Sequence, residues 1–487
     1  MLLKRRAGVL LHPSSLPGKS DQGDFGHEAF RFIEFLSACG FSVWQTLPLG
    51  PTHSDRSPYQ SLSVHAGNLL LISLDWLVDH DWLPSSALDE TDINAEYRQA
   101  CLRKAYAGFC QHADEKMRQA YATFVEEKAD WLHDYALFLA LRNDAGGRPW
   151  MEWPAALRDR EAKAMLDANR RFHEECEYVR FEQFVFNMQW NELRDYAHKN
   201  GVYLFGDMPI FVAHDSAEVW AHRENFLVDE HGNASVVAGV PPDYFSETGQ
   251  RWGNPHYAWD HIRKDGFQWW IRRMQSQLKL FDLVRIDHFR GLEAYWEILA
   301  ESETAQQGHW VKAPGDELLK ALFEAFDDLP LVAEDLGTIT KEVTDLLYKY
   351  KLPGMKILQF AFNGDPENPY LPQNFTENCV VYTGTHDNDT TLAWYETLPE
   401  ADRKYLHEYL DGSDVPMPWL LNKCALSSVA RLAMLPMQDI LGLGSGHRMN
   451  IPGTTQGNWQ WRFEWSQVSD GLAERLRALI QLYGRLN

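Results

Sequence analysis

The sequence predicts an α/β protein, a (β/α)8 TIM barrel with a helical insertion and long loop subdomain insertions around one end of the barrel. Three observations predict it. Eight short apolar runs alternate with helix-patterned stretches along the 487 residues, which is the rhythm of parallel strands joined by crossover helices. Several runs stop at an acid or another polar residue, as barrel strands do where they open onto a common basin. A charged, helix-rich block from Asp79 to His198 interrupts the rhythm once.

Arg6-Ala-Gly-Val-Leu-Leu-His12, ended by Pro13, reads as the first buried strand. Helical spacing at Phe30, Ile33, Phe35 and Leu36 follows, Gly40 stops the helix, and Ser42-Val-Trp-Gln-Thr46 is strand two. The polar loop Leu49 to Gln60 then presents Tyr59 behind the stiff Pro58, either a platform for a ring or a surface turn. In the block that follows, Trp131, Tyr135, Phe138 and Leu141 recur at helical spacing, a stripe better explained by docking than by ligand binding. Strand three, Gly201 to Val212, carries Asp207. Residues 213–262 form a long irregular segment, and its five aromatics from Tyr244 to Trp259 argue for order.

A helix over Phe267 to Leu280 leads into Phe281-Asp-Leu-Val-Arg-Ile-Asp-His-Phe-Arg-Gly291, a strand that delivers Arg285, Asp287 and His288 together. Arg285 and Asp287 share a strand face, so the pair is either a structural ion pair or part of a site. Strand five ends at Glu334, strand six is Gly354 to Phe360, strand seven is Cys379 to Thr383 and strand eight is Ala433 to Met437. Strand seven runs into Gly384-Thr-His-Asp-Asn-Asp389, and strand eight into Gln438 to Asn450, whose glycines miss the G-x-G-x-x-G phosphate pattern because His447 stands at its last position.

Composition narrows the partners. With 46 basic against 69 acidic residues the net charge is −23, with no basic block, which excludes nucleic acid and anionic membrane as natural partners. Six Cys without any C-x-x-C predict neither a disulfide framework nor a zinc site, and reduced thiols fit a cytoplasmic protein. No apolar run approaches the length of a membrane span and no targeting segment is evident. The aromatic share of 13%, with 19 Trp, exceeds what packing alone asks for and suits sugar rings or nucleobases.

Asp207, Asp287, Glu334 and Asp387 therefore stand at four strand ends that a closed barrel turns toward one basin. Four carboxylates could hold Mg or Ca, but only His288 and His386 lie near and no His-rich ligand spacing occurs, so no metal and no cofactor are expected. The stronger expectation is glycosidic chemistry, in which one carboxylate attacks the anomeric carbon and a second, with raised pKa, protonates the leaving oxygen.

Arg285-Ile-Asp-His288, Ala333-Glu-Asp-Leu336, Thr385-His-Asp-Asn-Asp389 and Gly206-Asp-Met-Pro-Ile210, in this chain, resemble the 4-α-glucanotransferase family, the amylomaltases or disproportionating enzymes of the α-amylase superfamily. The loops Ser57-Pro-Tyr-Gln60, Pro241 to Pro255 and Arg448 to Gly453 are similar to that family too. The resemblance implies that Asp287 is the nucleophile, Glu334 the general acid/base and Asp387 the acid that bonds sugar hydroxyls and stabilises the transition state. It also implies that Tyr59, Gln250, Trp252, His288, His386 and Asn450 bind substrate, with Asp207 and Arg285 ordering the strand ends. Arg285 is expected to hold Asp287 ionised, and the apolar run around Glu334 to raise its pKa. The implied partners are maltooligosaccharides and α-1,4-glucans, and an α-glucan hydrolase is the alternative. The resemblance further implies a bacterial cytosolic enzyme, without the leader of the family's plastid members. The expected organisation is a catalytic barrel over 1–78 and 199–487, a helical subdomain over 79–198 after strand two, and a loop subdomain over 213–262 after strand three that covers the site.

Overall fold

The computed structural model describes residues 4–242, 246–411 and 414–486. Tyr244 and Phe245, two of the five aromatics noted above, lie outside the described residues. Twelve strands are present among them: β1 (Arg6–Leu10), β2 (Val43–Gln45), β3 (Tyr203–Pro209), β4 (Val236–Val240), β5 (Gln250–Pro255), β6 (Leu283–Asp287), β7 (Ala294–Leu299), β8 (Gly308–Lys312), β9 (Leu331–Ala333), β10 (Gly354–Ile357), β11 (Cys379–Tyr382) and β12 (Leu432–Pro436).

Eight of these form one parallel sheet in the order β10-β11-β12-β1-β2-β3-β6-β9. The Ala333 N–H donates to the Pro353 carbonyl at 2.9 Å across the remaining seam and brings β9 to β10, so the sheet nearly closes as a barrel. All eight predicted strands are barrel strands, some shorter than their apolar runs: the run ending at Phe360 leaves the sheet after Ile357 and finishes as a 3-10 turn.

The barrel interior is filled by Val43, Phe205, Leu283, Val332, Met355, Ile357, Val380, Tyr382, Leu432 and Met434, the layered packing that makes such a barrel a solid core. Gly8 on β1 is part of that packing, since a Cβ there would stand 2.6 Å from Met434 Sδ and 2.7 Å from the Val43 carbonyl. The helix His27–Cys39 stops where predicted, because Gly40 takes the left-handed conformation at φ 86°.

Between β2 and β3 the chain makes a run of helices, the longest being Ala95–His112, Glu115–Glu127, Ala129–Asp144 and His173–Lys199. Tyr135, Phe138 and Leu141 of the predicted stripe are buried, which is what a docking face requires. The last helix also returns the chain to the barrel: the Trp190 indole N–H donates to the Leu280 carbonyl at 3.1 Å and its ring meets Phe281 edge-on.

One element differs from the sequence reading. The segment after β3 is not irregular throughout, because β4 and β5 pair with each other and with β7 and β8 in a four-stranded antiparallel sheet, β5-β4-β7-β8. The hairpin β7–β8 follows β6 and precedes the helix Gly315–Ala325. It escapes a search for buried strands because β8 is exposed at four of its five residues and so lacks an apolar run.

Glu182 lies on the long return helix and is 3% exposed. Burial lifts its carboxyl to about 7, with Tyr178 and Arg103 opposing and Glu175 adding to the rise. The folded chain thus keeps a proton that the unfolded chain releases in the ordinary carboxylate range, so stability falls as pH rises through that interval and the loss is complete above it. Glu182→Gln is expected to raise the unfolding free energy by about 3 kcal/mol near pH 8 and to change it little near pH 4. Urea titrations at both pH values check this, and an equal effect at both would contradict it.

Candidate active site

Alternation along β6 turns Leu283, Arg285 and Asp287 inward while Val284 and Ile286 pack outward against the helices. The register of β3 against β6 sets Asp207 directly opposite Arg285. Arg285 Nε donates to Asp207 Oδ1 at 2.9 Å, and its Nη2 donates to Asp287 Oδ1 at 2.6 Å. Tyr59 Oη donates to the second Asp207 oxygen at 2.7 Å.

The ion pair weighed from the sequence therefore exists, but one guanidinium is shared between two carboxylates. Burial alone would lower the Arg285 pKa; Asp207 and Asp287 outweigh it and hold the guanidinium well above its ordinary value. Burial raises the Asp287 carboxyl, Arg285 opposes that rise, and Asp207, Glu334 and Asp387 add to it. The expectation that Arg285 simply holds Asp287 ionised needs this correction: the cation is at contact distance, but Asp207 competes for it.

Glu334 follows β9, and its N–H bonds the Ile286 carbonyl at 3.0 Å, which continues the β6–β9 ladder to the level of Asp287. Its carboxylate is gripped by backbone amides: Oε2 accepts from the His288 N–H at 2.6 Å and Oε1 from the Leu336 N–H at 2.9 Å. His288 reaches this position by leaving the strand in the left-handed region, at φ 56°. Burial raises the Glu334 pKa, opposed by Arg285 and by the two amides, in line with the expectation from its apolar run.

On the far side of the barrel mouth Asp387 keeps 48% of its side chain exposed. Asn450 Nδ2 donates to its Oδ1 at 2.6 Å, and Arg448 Nη2 donates to its carbonyl at 2.7 Å. His386 stacks on Tyr59 with ring centroids 5.2 Å apart, and its Nε2 lies 3.4 Å from Asp387. Burial lowers the pKa of both histidines, to about 3 for His288, so each ring is neutral. His288 meets Trp252 edge-on at 4.8 Å, and among the described residues nothing bonds its buried Nε2. Trp252 Nε1 donates to Gln250 Oε1 at 3.2 Å, and Gln60 reaches across to Asn254 and the Trp252 carbonyl, which ties the Tyr59 loop to β5.

These residues surround a cleft of about 810 Å³. Tyr59, Gln250, Trp252, Arg285, Asp287, His288, Glu334, His386, Asp387 and Asn450 all line it. Asp207 does not: its side chain is fully buried beneath Arg285 and Tyr59, out of reach of a ligand in the cleft, and it can act only by positioning those two residues. The sequence reading also missed Trp459, which packs against both Tyr59 and His386 at the cleft wall, and Trp310, on the hairpin strand that was not recognised. The run Asn458-Trp-Gln-Trp461 was the available signal for Trp459. Among the described residues no group of three or more His, Cys, Asp or Glu side chains is arranged to hold a metal ion, since the clustered acids are spent on Arg285 and on backbone amides.

The arrangement offers a carboxylate beside a permanent cation, a second carboxyl held by neutral amides on the neighbouring strand, and aromatic walls for an elongated ligand. A family model described as 4-alpha-glucanotransferase matches residues 11–468. Relatives with that name include one from Thermus thermophilus, 49% identical with all of both chains covered, and one from Synechocystis, 48% identical over all of this chain and 99% of the other. A chloroplastic/amyloplastic 4-alpha-glucanotransferase of Solanum tuberosum is 43% identical over 99% of this chain and 87% of its own. Among solved structures, the amylomaltase of Streptococcus agalactiae in complex with acarbose superposes with a TM-score of 0.96 at 37% identity, covering 99% of this chain and all of that one. The fold, the clustered strand-end acids and full-length similarity converge: this chain belongs to the 4-α-glucanotransferase (amylomaltase) family.

Proposed function

We propose that this enzyme transfers a segment of an α-1,4-glucan from a donor maltooligosaccharide to the 4-hydroxyl of an acceptor glucan or glucose, by a retaining double displacement. The observation that carries the reading is the unequal treatment of two neighbouring acids. Asp287 has a cation at 2.6 Å, whereas Glu334 has only neutral N–H donors. Burial raises both, Asp287 well above its ordinary value; the direct bond from Arg285 is the contact that favours an ionised Asp287, and the double displacement needs the charge there and the proton on Glu334.

In the first step an Asp287 oxygen attacks the anomeric carbon while Glu334 gives its proton to the departing glycosidic oxygen, leaving a glucosyl ester on Asp287. In the second, Glu334 takes the proton of the acceptor 4-hydroxyl, which attacks the same carbon and releases Asp287. Two inversions retain the α configuration. Asp387, exposed to the cleft and fixed by Asn450 and Arg448, is suited to accept from the hydroxyls of the ring being cleaved. His386, flat against Tyr59, is neutral and can exchange hydrogen bonds with hydroxyls at no cost in charge, and His288 adds a neutral ring to the cleft wall. Gln250 and Trp252 supply a polar and an aromatic contact from the antiparallel sheet.

A hydrolase would use the same acids, and family membership favours transfer. Given maltotriose, the enzyme is expected to release glucose and build a ladder of longer oligosaccharides. Steadily rising reducing ends with shrinking chains would overturn the transferase reading.

Asp287→Asn and Glu334→Gln are each expected to cut turnover on maltotriose by about three orders of magnitude or more. They separate on an α-glucosyl fluoride donor, whose leaving group needs no proton: Glu334→Gln still releases fluoride in a first-turnover burst, and Asp287→Asn does not. A burst from Asp287→Asn would sink its assignment as nucleophile.

Turnover needs Asp287 ionised and Glu334 protonated, so the pH profile is a bell. Asp207 draws Arg285 away from Asp287 and adds its own negative charge, both of which raise the Asp287 pKa. Asp207→Asn is therefore expected to move the acidic limb of kcat/KM to lower pH, and an upward move would contradict this account.

A further inference from the structure

The hairpin β7–β8 places a second aromatic platform on the cleft. Trp310 is 36% exposed and lines the cleft, as do Glu334, Gly337 and Thr338. Its ring is held from two sides. The Arg290 guanidinium lies over one face at 3.6 Å from the ring centroid, and Trp296, its partner across the hairpin, meets it edge-on at 5.2 Å. Trp296 is fixed in turn, since its indole N–H donates to the Ala305 carbonyl at 2.9 Å and Gly308 leaves room for the ring, a Cβ there standing 2.5 Å from Trp296 Nε1.

Arg290 is itself 5% exposed and bonds the Thr338 carbonyl. It thus connects the loop that leaves Asp287 with the loop that leaves Glu334, and Trp310 rests on that connection. An indole with a cation beneath it and its remaining surface turned to a cleft offers a rigid apolar plane at low entropic cost. A pyranose ring, with its face of axial C–H bonds and its hydroxyls at the rim, is the ligand this plane fits.

We infer that Trp310 is an acceptor-side subsite, stacking a glucosyl unit of the incoming α-1,4-glucan some distance from the ring that reacts. The inference rests on the reading of Glu334 as the acid that protonates the departing oxygen, because sugars beyond that acid belong to the leaving group in the first step and to the acceptor in the second. Trp310 is tied through Arg290 to Thr338 on the loop that leaves Glu334, whereas Asp387 is bonded to Asn450 on the loop after β12.

The test uses an α-maltotriosyl fluoride lacking its terminal 4-hydroxyl, so that the donor carries no acceptor-side sugar and cannot serve as acceptor. Fluoride release and transfer are followed with glucose and with maltotetraose as acceptors, for the parent, Trp310→Ala and Trp310→Phe. For Trp310→Ala, fluoride release without acceptor and transfer to glucose are expected to stay within about twofold of the parent, while the apparent KM for maltotetraose rises about tenfold. Tenfold corresponds to about 1.4 kcal/mol, the scale of one aromatic contact. Trp310→Phe, which keeps a ring, is expected to recover most of the loss. Equal weakening with both acceptors would make Trp310 a prop for the Arg290 loops and overturn the inference, as would no change with either. If the parent releases fluoride yet transfers to neither acceptor, the transferase reading itself fails, a result that no Trp310 variant can produce.

Discussion

One buried guanidinium, Arg285, holds the mouth of this barrel together. It is 3% exposed, and a charge so enclosed is tolerated only where opposite charges and hydrogen bonds offset its desolvation. Asp207 on the neighbouring strand and Asp287 two residues on supply both. The planar fork of arginine can face the two acids at once, which a lysine ammonium cannot do with the same geometry. From this pair the order propagates outward: Asp207 fixes the Tyr59 hydroxyl, Tyr59 carries the His386 ring, His386 adjoins Asp387, and Asn450 and Arg448 clamp Asp387 from the last loop. This chain of contacts fixes the orientation of the groups around the cleft.

The same contact bears on the two carboxyls, a strand apart, to which the proposed mechanism gives different parts. Enclosure raises both, and neither would be a good nucleophile or a good acid if their surroundings matched. Arg285 opposes the rise of both, but its hydrogen bond goes to Asp287, while two backbone amides orient the Glu334 oxygens.

The barrel was legible because each of its strands is an apolar run closed by a break, and Asp287, Glu334 and Asp387 were legible as acids at the ends of such runs. The depth of Asp207 was not, since a strand-end acid looks the same whether it faces the cleft or lies under an arginine; the β3–β6 register decides it. The hairpin β7–β8 was hidden for the opposite reason, an exposed strand with no apolar signature. The tryptophan excess proved mostly structural: Trp44, Trp150, Trp190, Trp220 and Trp270 are fully buried, while Trp252, Trp310, Trp394 and Trp459 reach the cleft. Composition can signal that aromatics are abundant, but only the packing separates the core ones from the platforms.

The central claim is that the glucan spends part of each cycle as an ester on Asp287. The most direct measurement is to incubate the Glu334→Gln variant with an α-maltosyl fluoride, quench it in acid, digest it, and locate the added mass by peptide mass spectrometry. The account predicts one maltosyl adduct, on the peptide containing Asp287 and fragmenting at that residue. An adduct on another carboxylate, or fluoride release with no adduct trapped at any time, would contradict it.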